Sequence, residues 1–282
     1  MGIYLDYNAS TPLDQRVLDV MVDVYQNKYG NADSRTHDFG ETARSIVESS
    51  RKQVAELLAI NKDEVFFTSG ATESNNITIL GLQEFAEKTS KKHIITTSIE
   101  HKAVLEPLHQ LEKRGFEVTY IDPDSSGRIN ADELLSKVRN DTLFVSVMHA
   151  NNETGIIRPI DTVGESLCET DIFFHIDTAQ SFGKLVDELK SVKYNFLSAS
   201  AHKMYVSFNG VNSEALMLAT RQFCAVSNGS ACNSSNYKPS YVLSAMGLNL
   251  ERIESAIRIS WGIDNTGLDN FTNMLYTEKT II

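Results

Sequence analysis

The sequence predicts an α/β fold, a mostly parallel sheet flanked by helices, with a smaller α+β domain beside it. Two observations support this prediction. Short runs rich in β-branched and aromatic residues alternate with longer stretches that carry apolar residues at helical spacing. Because strands and helices that alternate in this way usually form right-handed βαβ units, the helices are expected on the faces of the sheet.

The predicted strands are short and mostly apolar, as strands buried on both faces of a parallel sheet are. They comprise residues 65–68, 94–97, 116–121, 143–148, 172–176 and 194–197. Between the strands, apolar residues at helical spacing predict helices over residues 73–86, 103–114 and 131–138.

A chain of 282 residues with 41% hydrophobic content can bury a substantial core, and this length suits one large domain with a smaller one. We expect residues 63–205 to form the large domain around the sheet. Residues 1–62 would supply an N-terminal arm and part of the small domain, and residues 206–282 the rest of it. Five prolines in the whole chain leave little room for a proline-rich linker.

Charge and cysteine content favour small-molecule chemistry in a reducing cytoplasm. The formal net charge of -11 and the pI near 5.1 argue against direct nucleic-acid binding. Three cysteines without CxxC spacing indicate neither a metal site nor a disulfide framework. The sequence has no signal-peptide pattern and no apolar run near the roughly 18 residues that cross a bilayer, so we expect no membrane association.

Two charged residues stand where predicted strands end. Asp177 directly follows one strand, and Lys203 ends the run SASAHK that follows the next. Ligands of parallel sheets bind beyond the carboxyl ends of the strands. A lysine amine can hold an aldehyde as a Schiff base, and a buried acid can keep a pyridine nitrogen protonated, which are the two needs of a pyridoxal phosphate site. Either residue alone is more simply interpreted as a solvated loop residue.

The run FTSGATE at residues 67–73 leaves a predicted strand and enters a predicted helix. Free amides at such a helix start, with the Thr72 hydroxyl, can bind a phosphate group. The simpler alternative is a turn in which Thr72 or Ser69 caps the helix. A stacking role for His101 also has a simpler alternative, because a single histidine is more often a core or surface residue than a stacking partner.

The order of motifs along the chain resembles that of the cysteine desulfurases, pyridoxal phosphate enzymes of the class V aminotransferase family with fold type I. The matching segments are YLDYNASTP at 4–12, GNADSRTH at 30–37, TSGATESN at 68–75, HANNETG at 149–155, HIDTAQ at 175–180, SASAHK at 198–203, SNGSAC at 227–232 and AIR at 256–258.

The resemblance implies a role for each matching residue. Lys203 would be the Schiff-base lysine, Asp177 the partner of the pyridine nitrogen, and Gln180 a hydrogen-bond donor to the cofactor phenolate. His101 would stack on the ring and act in catalysis. The positions that match phosphate-binding residues are Ala71, Thr72, Ser200 and His202.

Two further matches concern L-cysteine as the substrate. Asn152 matches a residue beside the substrate, and Arg258 matches the arginine that holds the substrate carboxylate. A guanidinium suits this role because its planar fork can meet a carboxylate with two parallel hydrogen bonds.

Cys232 narrows the expected activity to desulfuration. Its surroundings, NGSACNSS at residues 228–235, have no apolar periodicity and are typical of a mobile polar loop. A thiolate there could attack the substrate sulfur and carry it away as a persulfide, leaving alanine as the other product. For Cys168 and Cys224 the default expectation is that each is a buried apolar filler.

The resemblance breaks after Lys203, where the chain runs from Tyr205 directly into a segment that resembles a later strand of the family. Roughly 90 family residues are missing at this join, enough for a sizeable part of a domain. We expect a chain break there, with a Cα separation between Tyr205 and Val206 well beyond the roughly 3.8 Å of a trans peptide.

Three functions remain open from the sequence. The first is a cysteine desulfurase that passes sulfur to an acceptor protein, such as an iron-sulfur scaffold or a thiolation partner. The second is a shortened, catalytically impaired relative that acts as a binding protein. The third is a related lyase, such as a selenocysteine lyase. The resemblance also implies a homodimer.

Overall fold

The structure, a computed structural model, describes residues 3–11, 13–203, 224–225, 239–254, 256 and 258. The strands are β1 (Ile3–Tyr4), β2 (His93–Thr97), β3 (Glu117–Ile121), β4 (Thr142–Met148), β5 (Phe173–Asp177), β6 (Phe196–Ser198) and β7 (Cys224–Ala225). The helices are α1 (Gln15–Asn27), α2 (Asp38–Leu58), α3 (Ala71–Gly81), α4 (Gln83–Thr89), α5 (Lys102–Glu112), α6 (Ala131–Ser136), α7 (Ile160–Leu167), α8 (Val186–Ser191), α9 (Tyr241–Ala245) and α10 (Leu250–Glu254).

Within these residues, a parallel sheet of five strands has the order β3-β2-β4-β5-β6. Its middle strand, β4, is buried along its whole length, which explains its unbroken run of mostly apolar residues. Met148 pairs with Asp177, and Asp177 pairs with Ser198. Three neighbouring strands therefore end at the same level, and the segments that follow them meet at one edge of the sheet.

Five of the six predicted strands are confirmed, from β2 to β6. The strand predicted over residues 65–68 is wrong, because this described segment forms no ladder although Val65 has extended backbone angles. Phe66 is 80% exposed and Phe67 54%, and the Arg51 guanidinium lies 5.2 Å from the centre of the Phe67 ring. The β-branched and aromatic residues of this segment favour an extended backbone, but the segment has no neighbouring strand among the described residues with which to pair.

The helix predicted over residues 73–86 is two helices, α3 and α4, which meet at Leu82. Gly81 lies at the division, and glycine has a low propensity for helix interiors. The other two predicted helices are confirmed as α5 and α6 within a few residues at their ends.

Apolar side chains of the helices α3 and α5 pack against the sheet and form its core. Ile79, Val104 and Leu108 are fully buried there against Ile94 and Phe144. Complete burial of one such side chain is worth about 1.5–3 kcal/mol. This core therefore fixes the start of α3 and the start of α5 relative to the strand ends.

A buried polar ladder crosses β4, β5 and β6. The His175 Nδ1 atom lies 2.9 Å from the Ser146 hydroxyl, and its Nε2 atom lies 3.0 Å from the Ser198 hydroxyl. Burial lowers the pKa of His175 to about 4. The imidazole is therefore neutral near pH 7, with one nitrogen donating and the other accepting.

The chain divides into two compact units. The first contains the five-stranded sheet and comprises Met1–Thr11, Ser69–Lys184 and Val192–Ile282. The second comprises Pro12–Thr68 and Leu185–Ser191, and its longest helix is α2, capped at its start by the His37 side chain. The boundaries predicted at 62/63 and 205/206 stay predictions, and Tyr205 and Val206 lie outside the described residues.

Two observations bear on the expectations drawn from composition. In the described part of the chain, none of the helices combines the length and apolar character needed to cross a membrane. The expectation that Cys168 is a buried filler is wrong, because it is exposed at the end of α7. Cys168 directly follows a short amphipathic helix, at a point where the chain turns toward solvent. No pattern in the sequence marked this turn.

Candidate active site

A cavity of about 220 Å³ lies at the carboxyl ends of β4, β5 and β6. It is bordered by the start of α3, by the residue before α5 and by the segments that leave the three strands. The lining residues are Ser69, Gly70, Ala71, Thr72, Glu73, Asn75, His101, Ala103, Met148, Ala150, Asn152, Asp177, Ala179, Gln180, Ser200, His202 and Lys203. The structure thus brings nine of the predicted site residues to one cavity, all except Cys232 and Arg258.

Asp177, the last residue of β5, is 4% exposed. Its Oδ2 atom accepts a hydrogen bond from the Asn75 amide at 2.8 Å, and its Oδ1 atom accepts one from the Ala179 backbone N–H at 2.9 Å. These two donors fix the orientation of the carboxylate at the end of β5. Asp177 can therefore present a negative charge to a cationic group in the cavity.

Lys203 borders the same cavity, five residues after β6 ends. The preceding residue, His202, is held in place through its carbonyl, which accepts from the Thr11 backbone N–H at 2.9 Å. A second amine, Lys184, donates to the Gln180 carbonyl. Burial and the charge of Lys203 lower the pKa of Lys184 to about 8.

His101 stands between β2 and α5. Its Nδ1 atom accepts a hydrogen bond from the Ala103 backbone N–H at 3.1 Å, which caps α5. Burial, followed by the charge of Lys203, lowers the pKa of His101. A neutral ring that accepts at Nδ1 carries its proton on Nε2, so the tautomer is set by the helix cap.

The start of α3 offers backbone amides to the cavity. Gly70 precedes the helix with φ at +155°, a backbone conformation that favours glycine. Gly70, the N-cap residue, makes no side-chain cap hydrogen bond, while the Ser69 side chain bonds the Glu73 carboxylate. The simpler alternative, a turn capped by Thr72 or Ser69, stays a prediction. The Ser69 N–H donates to the Glu73 carboxylate at 2.5 Å. The amides of Ala71 and Thr72 lie in the first turn of α3, the end of a helix at which an anion can bind.

Ser200 and His202, two further residues predicted to bind the phosphate, contact each other at the cavity. The Ser200 hydroxyl lies 2.9 Å from the His202 Nδ1 atom. Burial and the charge of Lys203 lower the pKa of His202. Both residues border the cavity, as the sequence predicted for a phosphate site.

The N-terminal arm contacts two residues that border the cavity, Gln180 and Asn152. The Gln180 amide donates to the Asn8 carbonyl at 3.2 Å, and the Asn8 amide donates to the Asn152 carbonyl at 3.4 Å. The Oε1 atom of Gln180 and the Oδ1 atom of Asn152 are buried without a hydrogen-bond partner within the described structure. Such buried polar atoms on a cavity indicate that a ligand or water completes their bonding.

Arg258 does not border the cavity itself. It donates to the Asn152 carbonyl at 3.2 Å and forms an ion pair with Asp6 at 2.9 Å, while only 3% of it is exposed. The guanidinium therefore lies directly behind a cavity residue. Its predicted contact with a substrate carboxylate stays a prediction.

Two buried carboxyl groups were missed by the sequence analysis. Glu100 accepts from the Thr97 hydroxyl and from the Met148 N–H, and burial raises its pKa to about 8. Glu153 accepts from the Ser240 hydroxyl, and burial raises its pKa to about 7. Glu100 directly precedes His101 and Glu153 directly follows Asn152. This adjacency to a predicted site residue was the one feature of the sequence that could have indicated them.

Cys232 lies outside the described residues. The remaining groups fit pyridoxal phosphate on chemical grounds. The cavity combines an amine, a buried carboxylate with two hydrogen-bond donors, a histidine with a lowered pKa and the first turn of a helix. This is the set of groups that an aldehyde, a pyridine nitrogen, an aromatic ring and a phosphate require.

Comparison with known proteins identifies the family of this chain. The family model described as Aminotransferase class-V matches residues 3–211. A protein named cysteine desulfurase IscS from Colwellia psychrerythraea is 36% identical, with 93% of this chain and 88% of that protein covered. Another of that name from Anaeromyxobacter sp. is 34% identical, with 98% of this chain and 92% of that protein covered. The 358 positions of the Colwellia alignment exceed the 282 residues of this chain by 76, so the relative has residues without a counterpart here.

Solved structures give the same result. A NifS-like protein superposes with a TM-score of 0.88 at 28% identity, over 100% of both chains. A structure titled SspA in complex with cysteine superposes with a TM-score of 0.79 at 28% identity, over 92% of this chain and 98% of that one. The DndA protein from Streptomyces lividans has a TM-score of 0.74 at 30% identity, over 92% of this chain and 99% of that one. Since the family model covers most of the chain and the relatives exceed 30% identity over nearly all of it, the chain belongs to the cysteine desulfurase branch of the class V aminotransferase family.

Proposed function

We propose that this protein is a pyridoxal phosphate-dependent cysteine desulfurase that converts L-cysteine to L-alanine and transfers the sulfur. The observation that carries the proposal is the placement of Lys203, Asp177 and His101 on one cavity at the strand ends. A shortened binding protein would have no need to keep an amine and a buried acid on the same cavity. The relatives named cysteine desulfurase support the same activity.

The residues that would hold the cofactor follow from the cavity. Lys203 would bind its aldehyde carbon, Asp177 its protonated pyridine nitrogen, and Gln180 its phenolate oxygen. His101 would lie against the ring. Backbone and hydroxyl donors at Ala71, Thr72, Ser200 and His202 would bind the phosphate. When bound, the cofactor withdraws electrons from the substrate carbon atoms.

The remaining residues would act on the substrate. Arg258 and Asn152 would orient the cysteine carboxylate, for which the guanidinium is suited by its fork of donors. Lys203, once its amine is released, would move a proton at the substrate Cα. Burial and a neighbouring amine lower the pKa of His101, and its Nδ1 atom accepts from the Ala103 N–H. The neutral ring would therefore offer its Nε2 N–H as a hydrogen-bond donor to the substrate sulfur and would not protonate it.

Cys232 would accept the sulfur. Its thiolate attacks the substrate sulfur, the carbon–sulfur bond breaks, and the electron pair stays with the carbon, which is then protonated. The thiol and cysteine thus give a persulfide and alanine without an external oxidant. The polar sequence around Cys232 supports this role.

Further parts of the proposal rest on the family resemblance and on composition. We propose a homodimer, a protein that accepts the persulfide sulfur, for iron-sulfur assembly or another thiolation, and a cytoplasmic location. The cysteine content without CxxC spacing supports the reducing compartment.

The test is alanine formation from L-cysteine by the purified protein reconstituted with pyridoxal phosphate, with sulfide measured after a dithiol is added. We expect alanine and sulfide in equal amounts. Selenocysteine as a competing substrate checks the lyase alternative, which a strong preference for selenocysteine would favour. Bound cofactor with no product from either substrate would reject the proposal in favour of an impaired relative.

A further inference from the structure

The helix α9 begins beside two loops that carry cavity residues. The Tyr241 hydroxyl, at the first position of α9, donates to the Glu100 carbonyl at 2.5 Å. Glu100 is fully buried and directly precedes His101. A side chain from the C-terminal part of the chain is thus attached to the backbone from which His101 enters the cavity.

The residue before Tyr241 makes a second attachment. The Ser240 hydroxyl donates to the Glu153 carboxylate and accepts from the Leu243 N–H at 3.1 Å, so it also caps α9. Ser240 is 5% exposed and Glu153 9%. Glu153 directly follows Asn152, whose side chain borders the cavity.

A third contact comes from the end of the same segment. Arg258 donates to the Asn152 carbonyl at 3.2 Å. Between the contacts, Val242 and Leu243 are buried, which holds α9 against the body of the first unit. Residues 240–258 therefore contact the two cavity loops at three points.

We propose that Ser240 and Tyr241 are positioning residues of the reaction. They hold the loops that carry His101 and Asn152 in place against the C-terminal segment. The inference rests on the proposed function, because His101 and Asn152 receive their roles there. Cys232 precedes Ser240 by eight residues, and eight extended residues span at most about 29 Å. The anchor at Ser240 therefore limits how far the proposed sulfur acceptor can move from the cavity.

The first test measures hydrogen exchange in the protein without cofactor, so that it is independent of activity. We expect Tyr241→Phe, which removes one hydroxyl and keeps the ring, to increase exchange of backbone amides at residues 99–103. Ser240→Ala should increase exchange at residues 151–155. Tyr120→Phe, at a partly buried tyrosine of the edge strand β3, is the control and should leave both loops unchanged.

The second test separates the two loops by kinetics. Tyr241→Phe should lower kcat by about three- to tenfold, the effect of one neutral hydrogen bond, with KM for cysteine unchanged. Ser240→Ala should raise KM by a similar factor, and Ser240→Thr should restore it. Asn130→Ala, which removes the cap of α6, controls for the loss of a helix cap.

Wild-type exchange at both loops in both variants would overturn the proposal. So would faster exchange with unchanged kcat and KM, since the contacts would then be structural only. If Ser240→Ala does not fold, Glu153→Gln removes the charge from the same hydrogen bond and takes its place. If the wild-type protein forms no alanine, the proposed function fails, whereas the exchange experiment still decides whether the attachments hold the loops.

Discussion

The Asn75 side-chain nitrogen lies 2.8 Å from the Asp177 Oδ2 atom and joins the first turns of α3 to the end of β5. Both residues are buried, and both border the cavity. The contact links the helix that would bind the phosphate to the acid that would bind the pyridine nitrogen.

We expect Asn75→Leu to weaken pyridoxal phosphate binding by about tenfold or more, because a hydrogen bond to a charged group is worth about 1.5–3 kcal/mol. The measurement is a titration of the protein without cofactor, followed by visible absorbance. Asn76→Ala, at a partly buried neighbour in the same helix, is the control. Equal affinities for Asn75→Leu and Asn76→Ala would remove Asn75 from the site.

Lys203→Ala should abolish covalent attachment of the cofactor, since the Lys203 amine is the one assigned to its aldehyde carbon. Borohydride reduction followed by peptide mass mapping measures this. The matched control is Lys184→Met, which removes a second, partly buried amine near the cavity and should leave the reduced adduct on Lys203. If Lys184→Met removed the adduct and Lys203→Ala kept it, the roles of the two lysines would be exchanged.

Cys232→Ser should bind cofactor and cysteine normally but form no persulfide, because a hydroxyl does not accept the sulfur. The readout is sulfide release from cysteine in the presence of a dithiol. Cys168→Ser replaces an exposed thiol at the end of α7 and should keep wild-type sulfide release. Wild-type release from the Cys232→Ser protein would reject this thiol as the acceptor.

Arg258→Ala should raise KM for cysteine by about tenfold or more, because a charge-assisted pair with the substrate carboxylate is lost. Cofactor absorbance should remain. Arg252→Ala, at an exposed arginine of α10, controls for loss of positive charge in the same segment. An unchanged KM in Arg258→Ala would restrict this arginine to its contacts with Asp6 and Asn152.

The Glu153 carboxyl should make stability depend on pH. Burial raises its pKa from 4.5 to about 7, so between these values the folded protein holds a proton that the unfolded chain has released. The contribution to stability is present below pH 4.5 and is lost as the pH rises through about 7. We expect the free energy of unfolding of the wild type, relative to Glu153→Gln, to fall over this range.

Urea unfolding at a series of pH values measures this difference. Glu165→Gln, at an exposed glutamate of α7, should show a flat difference over the same range. A flat difference for Glu153→Gln as well would contradict the raised pKa.

The sheet and most of the cavity could be predicted because their signals are local in the sequence. Asp177 directly follows an apolar run, Lys203 comes five residues after the end of the next strand, and their meeting follows from the parallel order of β5 and β6. The run at residues 65–68 shows the limit. Its composition favours an extended backbone. A strand also needs a neighbouring strand to pair with, and the composition of one segment cannot identify that neighbour.

Asn75, Glu100 and Tyr241 were missed for a related reason. Asn75 bonds a residue 102 positions away, and Tyr241 bonds one 141 positions away. No periodicity in the sequence marks such contacts, because each depends on where two elements come together in the fold. Glu100 gave no signal beyond its place beside His101, since burial alone distinguishes it from an ordinary loop glutamate.

The ladder of Ser146, His175 and Ser198 also has a consequence for how the chain assembles. The apolar neighbours of His175 would tolerate several alignments of β6, but a shift by one residue would leave both imidazole nitrogens buried without partners. Misaligned sheets are thus penalised during folding. Since Asp177 and Lys203 are placed by the pairing of β5 with β6, His175, which does not border the cavity, helps to ensure that the active-site residues come together in one alignment only.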